Sequence, residues 1–288
     1  MSKISRLMPQ RPRLFRCHVV RGERRTPSMQ RVTVTGADLT TYPWRGYDQW
    51  FRLFLRKPHQ ERFVLPEISG ASWWKPFLAL PEEERAHCAN YTVADFRPAG
   101  AGLDAELDID FVVHCGPGGE PEGAAAIWAC AATPGEELAL LDQGLLFDCP
   151  DDASDVLLVA DESGLPATAG ILRSLPRDAV GRVIQEVPTA GDRRVLEAPA
   201  GMSITWVVRD DPSAVPGAAA LAQLRRHVPA ADPKAYAFVV GESTLATESR
   251  RHLHRSGLPK SRITFSGFWK RETHEVRETR EAHEKATA

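Results

Sequence analysis

The chain has 288 residues, of which 43% are hydrophobic and 26% are charged, and its formal net charge is -2 at pH 7. This composition is typical of a globular protein and excludes a chain that binds polyanions through bulk positive charge. The length exceeds what one hydrophobic core usually supports, so we expect two domains.

The chain begins with a strongly basic segment. Residues 1–31 carry nine Lys or Arg and a single acid, Glu23. We expect a partly disordered arm that leads into the first strand. The alternative is a basic lip that attracts an anionic ligand. Nucleic-acid binding would depend on this arm alone, and we expect none.

The first half alternates apolar and polar side chains with the period of two residues that is typical of half-buried strands. Strands are predicted at 31–36, 48–55, 106–114 and 136–141, and a short helix at 126–133. In the second strand, Phe51, Leu53 and Leu55 point one way, whereas Trp50, Arg52 and Phe54 point the other way. Strands at this spacing, broken by Pro and Gly, predict an antiparallel β-barrel over residues 16–150.

The second half changes to the rhythm of an α/β domain. Val156–Ala160 is a continuous apolar run, as expected for a strand that is buried on both faces of a parallel sheet. Further strands are predicted at 182–187, 203–208, 236–240 and 263–269, and helices at 167–175, 218–228 and 243–255. This alternation predicts a parallel-sheet α/β nucleotide-binding domain over residues 151–270, with the boundary in the polar segment Cys149–Asp155. Residues 271–288, with Glu at every third position, are expected to form a solvated helix or a frayed end.

The five cysteines are scattered and include no CxxC pair. Thiolate-held zinc or an iron–sulfur cluster is therefore not expected, and an unpaired set suits a reducing compartment. No apolar run approaches the roughly 20 residues that a membrane span needs. The N-terminus lacks the apolar core of a secretory signal, so we expect a cytoplasmic protein that does not enter a membrane.

Several segments, taken in order, resemble one known family. They are NYTVADFR (90–97), FVVHCG (111–116), GAAAIWACAATPGEEL (123–138), LLVADESGLPA (157–167), FVVGEST (238–244) and SGFWKR (266–271). The chain resembles the siderophore-interacting proteins, which are flavin-dependent ferric-siderophore reductases related to ferredoxin–NADP reductases. The resemblance implies FAD on the barrel, NADPH or NADH on the sheet, a ferric siderophore as substrate, no catalytic acid or base, and no protein-bound metal.

The resemblance also implies flavin-binding residues. They are Tyr91, Thr92, Val93, His114, Gly123, Ala124, Ala125 and Trp128. Tyr91 would stack on the isoalloxazine ring and Thr92 would hydrogen-bond its polar edge. Small residues before the short helix would let backbone N–H groups approach the pyrophosphate. Tyr91 as a strand residue of the barrel wall, His114 as a structural strand-end residue and a simple packing turn at Gly123 are the alternatives.

Two departures from the family pattern weaken the expectation of FAD. The family motif is Arg-x-Tyr-Thr-Val-Arg, and Ala89 and Ala94 replace its two arginines. Losing one Arg–phosphate contact costs on the order of 1.5–3 kcal/mol. A neighbour such as Arg97 could compensate. The family's Gly-Pro-Ala loop reads Gly-Ala-Ala here, after a longer preceding loop.

The resemblance places the nicotinamide cofactor at the carboxyl edge of the sheet. The implied contacts are Asp161, Glu162, Ser163, Arg209, Gly241 and Glu242. Asp161 could instead cap the helix, and Glu162 could face solvent. A 2′-phosphate would need a cationic pocket, for which Arg173, Arg193, Arg194 and Arg209 are candidates.

Two basic residues match family positions that face the anionic substrate. These are Arg52 on the second strand and Lys270 after the last strand. Ordinary surface charges are the alternative for both. The leading hypothesis is NAD(P)H-dependent reduction of a ferric siderophore through FAD. The competing hypothesis, favoured by Ala89 and Ala94, is a binding protein that holds a siderophore or a related ligand without redox chemistry.

Overall fold

The structure, a computed structural model, describes residues 7–9, 12–68, 72–116, 118–209, 211, 214–226 and 232–271. Its first half is a closed antiparallel barrel of six strands in the order β1-β2-β5-β4-β3-β8. The barrel strands are β1 (Leu14–Thr26), β2 (Met29–Thr35), β3 (Trp50–Leu55), β4 (His87–Arg97), β5 (Glu106–Val112) and β8 (Glu137–Gly144). Shorter elements are α1 (Trp74–Ala79), the ribbon β6 (His114–Cys115) and β7 (Pro121–Glu122), and α2 (Ala124–Ala131).

The alternation in the sequence sets the two faces of the barrel wall. Phe51 and Leu53 of β3, with Leu107 and Ile109 of β5, are buried in the barrel core. The residues between them, among them Arg52, face outward. The predicted barrel is confirmed.

The expectation of a partly disordered basic arm is wrong over residues 14–31. β1 is 13 residues long and pairs with both β2 and β8. Its bases lie on the outer face, where Arg21 binds Glu106 at 3.0 Å, while Phe15 and Val19 are buried. The strand forms because the apolar alternation persists beneath the charges.

The second half is a five-stranded parallel sheet in the order β11-β10-β9-β12-β13. Its strands are β9 (Val156–Ala160), β10 (Val180–Val187), β11 (Gly201–Val208), β12 (Tyr236–Glu242) and β13 (Ile263–Trp269). The helices are α3 (Leu165–Ser174), α4 (Ala218–Arg226) and α5 (Ser243–Arg255). The sheet order reverses at β9, because β10 lies on one side of it and β12 on the other. The crevice at the carboxyl ends of β9 and β12 is therefore the topological switch point, where such sheets bind ligands.

The chain crosses between the two domains in the stretch from Gly144, where β8 ends, to Val156, where β9 begins. The predicted tail, residues 271–288, lies outside the described residues except for its first residue. Among the described residues, no helix is long and apolar enough to cross a membrane.

The domains are joined by direct polar contacts. Asp192, in the loop after β10, accepts hydrogen bonds from Thr26 Oγ1 (2.7 Å) and from the N–H and hydroxyl of Ser28 (2.7 and 3.1 Å) on the barrel. Arg194 binds Asp110 of β5 at 3.0 Å. Together these bonds fix one edge of the sheet domain against the barrel wall.

We predict that Asp192→Ala lowers the free energy of unfolding by about 1–3 kcal/mol, because the donors on the barrel lose their acceptor. Burial alone would raise the pKa of Asp192, but hydrogen bonds from Thr26, Thr189 and Ser28 outweigh burial and lower it. The stabilisation is therefore present at neutral pH and lost only as the pH falls below the unfolded-state value of 3.8. Urea unfolding at several pH values measures both effects. The control is the exposed Asp178→Ala, and equal losses in the two variants would contradict the prediction.

Candidate functional site

A cleft of about 360 Å³ lies between the outer wall of the barrel and the carboxyl edge of the sheet. The barrel contributes Trp50, Ala89, Asn90, Tyr91, Thr92, Asp110, Val112, His114 and the following Leu146. The sheet domain contributes Ser163, Pro166, Ser266, Gly267, Phe268 and Trp269. The cleft therefore has aromatic side chains on both sides and lies at the switch point, as expected for a site that holds a planar ring.

On the barrel side, Tyr91 is held by ring packing. Its ring centroid lies 4.6 Å from that of Phe111, and burial raises the pKa of the Tyr91 phenol, so it stays neutral. Thr92, the next residue, turns to the outer wall of the strand and lines the cleft. Trp50 is its partner on β3, and the buried Nε1 of Trp50 has no hydrogen-bond partner among the described residues. A bound group with an acceptor atom can satisfy that donor.

The helix α2 packs beside this aromatic group, since the ring of Trp128 lies 5.7 Å from that of Phe111. Its N-terminal flank, Gly123, has φ +88°, and no side chain caps the first turn. The uncapped N–H groups and the positive end of the helix dipole suit a phosphate. Gly123 and Ala124 are exposed, so this end is accessible. These features and the ring-lined cleft fit FAD.

The structure does not support the alternative in which Arg97 compensates for the missing arginines, because Arg97 is engaged by carboxylates. Its guanidinium binds Asp108 at 2.7 Å and Glu106 at 3.0 Å. These hydrogen bonds, Asp108 first, raise the pKa of Arg97 despite burial. Ala89 lines the cleft, but the cation that the family pattern places there has no substitute from Arg97.

On the sheet side, the carboxylate of Asp161 links the residues that meet at the switch point. The fully buried carboxylate accepts hydrogen bonds from Ser163 N (2.9 Å), Ser163 Oγ, Glu242 N (2.6 Å) and Trp269 Nε1 (3.3 Å). Burial, and next the charge of Glu162, raise the pKa of Asp161 to about 6. The alternative role of Asp161, a helix cap, is present, since Asp161 accepts from Ser163 N, and it is combined with bonds to two further strands.

Arg209 is engaged by carboxylates and does not line the cleft. Its guanidinium binds Glu162 at 2.8 Å and Glu186 at 2.6 Å, and its side chain is only 8% exposed. Glu186 in turn accepts from the backbone N–H groups of Gly217 and Ala220. The alternative in which Glu162 faces solvent is wrong, and the geometry gives no support to a phosphate contact by Arg209.

The two predicted substrate residues, Arg52 and Lys270, differ in burial and in their neighbours. Arg52 lies over Trp50 and Trp73, with its guanidinium carbon 5.5 and 5.3 Å from the ring centroids. Burial lowers the pKa of Arg52. Lys270 is exposed and directly follows Trp269 at the end of β13, on the sheet side of the cleft.

Of the predicted cofactor residues, Tyr91, Thr92, His114 and Ser163 line the cleft. The side chain of Val93 points into the barrel core and does not reach the cleft. Gly241 and Glu242 lie next to Asp161 and do not line the cleft. The side chain of Glu242 caps α5 by accepting a hydrogen bond from Thr244 N. Sequence reasoning missed Trp50, Asp110 and Trp269 as cleft residues. For Trp50 and Asp110, their position on the outward-facing, more polar side of each predicted strand was the signal that could have identified them.

The fold and the cleft define a two-domain class in which a barrel of FAD-binding type precedes a parallel sheet of nucleotide-binding type. Residues 18–145 match the family described as siderophore-interacting FAD-binding domain, and residues 153–272 match the family described as siderophore-interacting protein. The chain belongs to the siderophore-interacting protein family. The resemblance seen in the sequence and the expected FAD-binding domain are confirmed.

Relatives cover nearly the whole chain. It is 31% identical over 273 residues to the ferric vibriobactin reductase ViuB of Vibrio cholerae, covering 94% of each chain. It is 28% identical over 256 residues to the NADPH-dependent ferric-chelate reductase of Escherichia coli, covering 87% of this chain and 91% of the relative. A solved siderophore utilization protein from T. fusca is 29% identical, with a TM-score of 0.75, covering 92% of this chain and 95% of the other.

We predict that Gly241→Ala lowers the free energy of unfolding by more than the backbone strain of a positive φ explains. A Cβ at Gly241 would lie 2.6 Å from Cγ of Asp161, and the residue has φ +132°. Gly257 is the matched control, because it has φ +103° and open space around a Cβ. Left-handed strain costs each variant about 1–2 kcal/mol, and Gly241→Ala should lose about 1–3 kcal/mol more as the donors of Asp161 are displaced. Equal free energies of unfolding in the two variants would refute the steric argument.

Proposed function

We propose that the protein is an NAD(P)H-dependent ferric-siderophore reductase. The observation that carries the proposal is the aromatic cleft, which lies where the FAD-binding barrel meets the switch point of the parallel sheet. A flavin ring on the barrel wall and a nicotinamide at the strand ends would meet in that cleft. Two relatives named as ferric reductases, at 31% and 28% identity, support the same activity.

In this proposal FAD, when bound, would supply the redox chemistry that links a two-electron donor, NAD(P)H, to the one-electron reduction of the ferric chelate. The protein's own residues bind and orient. Tyr91 and Trp269 offer ring faces from opposite domains, and Thr92 offers a hydroxyl to a polar ring edge. Asp161 keeps Ser163 and Trp269 in place. No side chain has to transfer a proton to carry electrons between the two rings.

The substrate is proposed to be an anionic ferric siderophore that arrives with its own iron. Among the described residues, no group of three or more His, Cys, Asp or Glu could hold a metal ion. Arg52 and Lys270 are proposed to attract the negative chelate, one beside Trp50 on the barrel and the other after Trp269 on the sheet domain. Both cations flank the cleft, so a chelate that contacts them would lie near the flavin edge.

Absorbance of the purified protein and NAD(P)H oxidation test the reaction directly. A flavin spectrum, with or without added FAD, and NAD(P)H oxidation that requires a ferric chelate are expected. Thr92→Ala should lower the rate, since a neutral hydrogen bond to the ring contributes about 0.5–1.5 kcal/mol. Thr40→Ala, an exposed barrel residue, is the control. Failure to bind FAD at micromolar concentrations would refute the proposed reaction.

We further predict that Ala89→Arg tightens FAD binding roughly ten- to a hundredfold, because it restores a cation that can bind phosphate oxygens with two hydrogen bonds. Ala89→Gln, which has similar reach and no charge, should leave the affinity nearly unchanged. Titration of the apoprotein with FAD, followed by flavin fluorescence, gives both dissociation constants. The same affinity for both variants would show that phosphate binding does not depend on this position.

The second candidate function is siderophore binding without redox chemistry. It is favoured by Ala89 and Ala94 together with the engagement of Arg97 by Glu106 and Asp108. NAD(P)H oxidation in the presence of a ferric chelate decides between the two functions. Clear turnover would exclude the binding protein, and a ferric chelate bound without any turnover would support it.

A further inference from the structure

A second pocket, of about 300 Å³, opens on the outer wall of the barrel beside α1. It is lined by Arg52, Lys57, Trp74, Phe77, Glu82, Arg85, Ala86, His87 and Cys88. None of these residues lines the cleft. The pocket and the cleft are nevertheless neighbours, because Arg52 of the pocket lies against Trp50 of the cleft. We call this second pocket the basic pocket.

The cations of the basic pocket lack carboxylate partners. Within the described parts of the chain, no ion pair joins Arg52, Lys57 or Arg85 to an acid. The guanidinium of Arg85 donates to the backbone carbonyls of Leu78 and Leu80. Glu82 is the single acid of the lining, and it is exposed. Three cations against one acid give the pocket a net attraction for an anion.

Two buried nitrogen atoms in this lining also lack partners. Nε of Arg52 and Nε2 of His87 are buried and make no hydrogen bond to the described residues. Burial and then the charge of Lys57 lower the pKa of His87, so its ring is neutral at pH 7. Unpaired buried polar atoms are uncommon in folded proteins and often mark a missing ligand or water.

The remaining wall of the basic pocket is aromatic. Trp74 is 48% exposed, although large aromatic side chains are usually covered. Its ring stacks on that of Phe77, with centroids 5.7 Å apart and planes at 30°. Trp73 packs edge-on against Trp74 and lies under the guanidinium of Arg52. An exposed indole face beside unpaired cations suits a ligand that is both planar and negatively charged.

We propose that the basic pocket binds a small aromatic anion, a phenolate or an aryl carboxylate. Its ring lies on Trp74, and its oxygens bind Lys57 and Arg85. Two sources share this chemistry: an aryl arm of a ferric chelate whose iron lies at the cleft, and a free aryl acid. Only the first source rests on the proposed reductase function. Binding of the anion itself does not.

Calorimetric titration of the full-length protein with 2,3-dihydroxybenzoate tests the binding. Saturable binding is expected, and Lys57→Ala should weaken it roughly tenfold, since one hydrogen bond to a charged group is lost. Arg85→Ala should do the same, but Arg85 also holds the carbonyls of Leu78 and Leu80. Lys57→Ala is therefore the variant that leaves the fold intact. Arg62→Ala, an exposed surface change, should bind as the unchanged protein does.

Two further ligands test the ring and the source. Cyclohexane carboxylate has the charge without the aromatic face, and it should bind at least tenfold more weakly. Trp74→Ala should remove that preference, and Trp74→Phe should keep it. If Lys57→Ala raises the KM for a ferric catecholate while kcat is unchanged, the occupant is the arm of the chelate. If Lys57→Ala leaves the KM for the ferric catecholate unchanged but weakens the binding of 2,3-dihydroxybenzoate, the occupant is a free aryl acid. No saturable binding, or equal binding by Lys57→Ala and Arg62→Ala, overturns the proposal while leaving the reductase function open to its own test.

Discussion

The carboxylate of Asp161 joins the ends of three neighbouring strands, and the sheet side of the cleft depends on it. Asp161 follows β9 and accepts from the backbone of Glu242 at the end of β12 and from Trp269 at the end of β13. It also fixes Ser163 at the start of the turn into α3. All of these partners are donors, so only an ionised carboxylate satisfies them together. A neutral isostere would leave at least one donor of the switch point unpaired.

The charges around Asp161 are unevenly balanced. One cation, Arg209, is shared by the two carboxylates Glu162 and Glu186. Among the described residues Asp161 has hydrogen-bond donors but no cation as a partner, and burial and the charge of Glu162 raise its pKa to about 6. At neutral pH the floor of the switch point is therefore negative. Such a negative charge disfavours a phosphate at this edge of the sheet.

Periodicity and turn residues predicted most of the fold, but β1 and β4 were not among the predicted strands. The apolar run of β9 and the alternation of β3 and β5 each predicted the observed strand. β1 was missed because its arginines suggested disorder, although Phe15 and Val19 alternate inward. The cleft could not be derived from the sequence in the same way. Its residues come from distant segments, and the pairing of Arg209 with two acids is a property of tertiary packing.

Arg31, Arg97 and Arg194 are held in ion pairs with Asp108 and Asp110 on the barrel wall, and the pair of Arg194 with Asp110 joins the two domains. Asp110 lines the cleft and binds both Arg31 of β2 at 2.7 Å and Arg194 of the sheet domain at 3.0 Å. Asp108, two residues earlier, binds Arg31 and Arg97. If one of these arginines turned toward a phosphate, a buried carboxylate would lose one of its two arginine partners, which costs stability. In the proposed reductase, the uncapped N-terminus of α2 is the remaining candidate for binding a phosphate, and Ala89 lacks the cation that the family pattern places there.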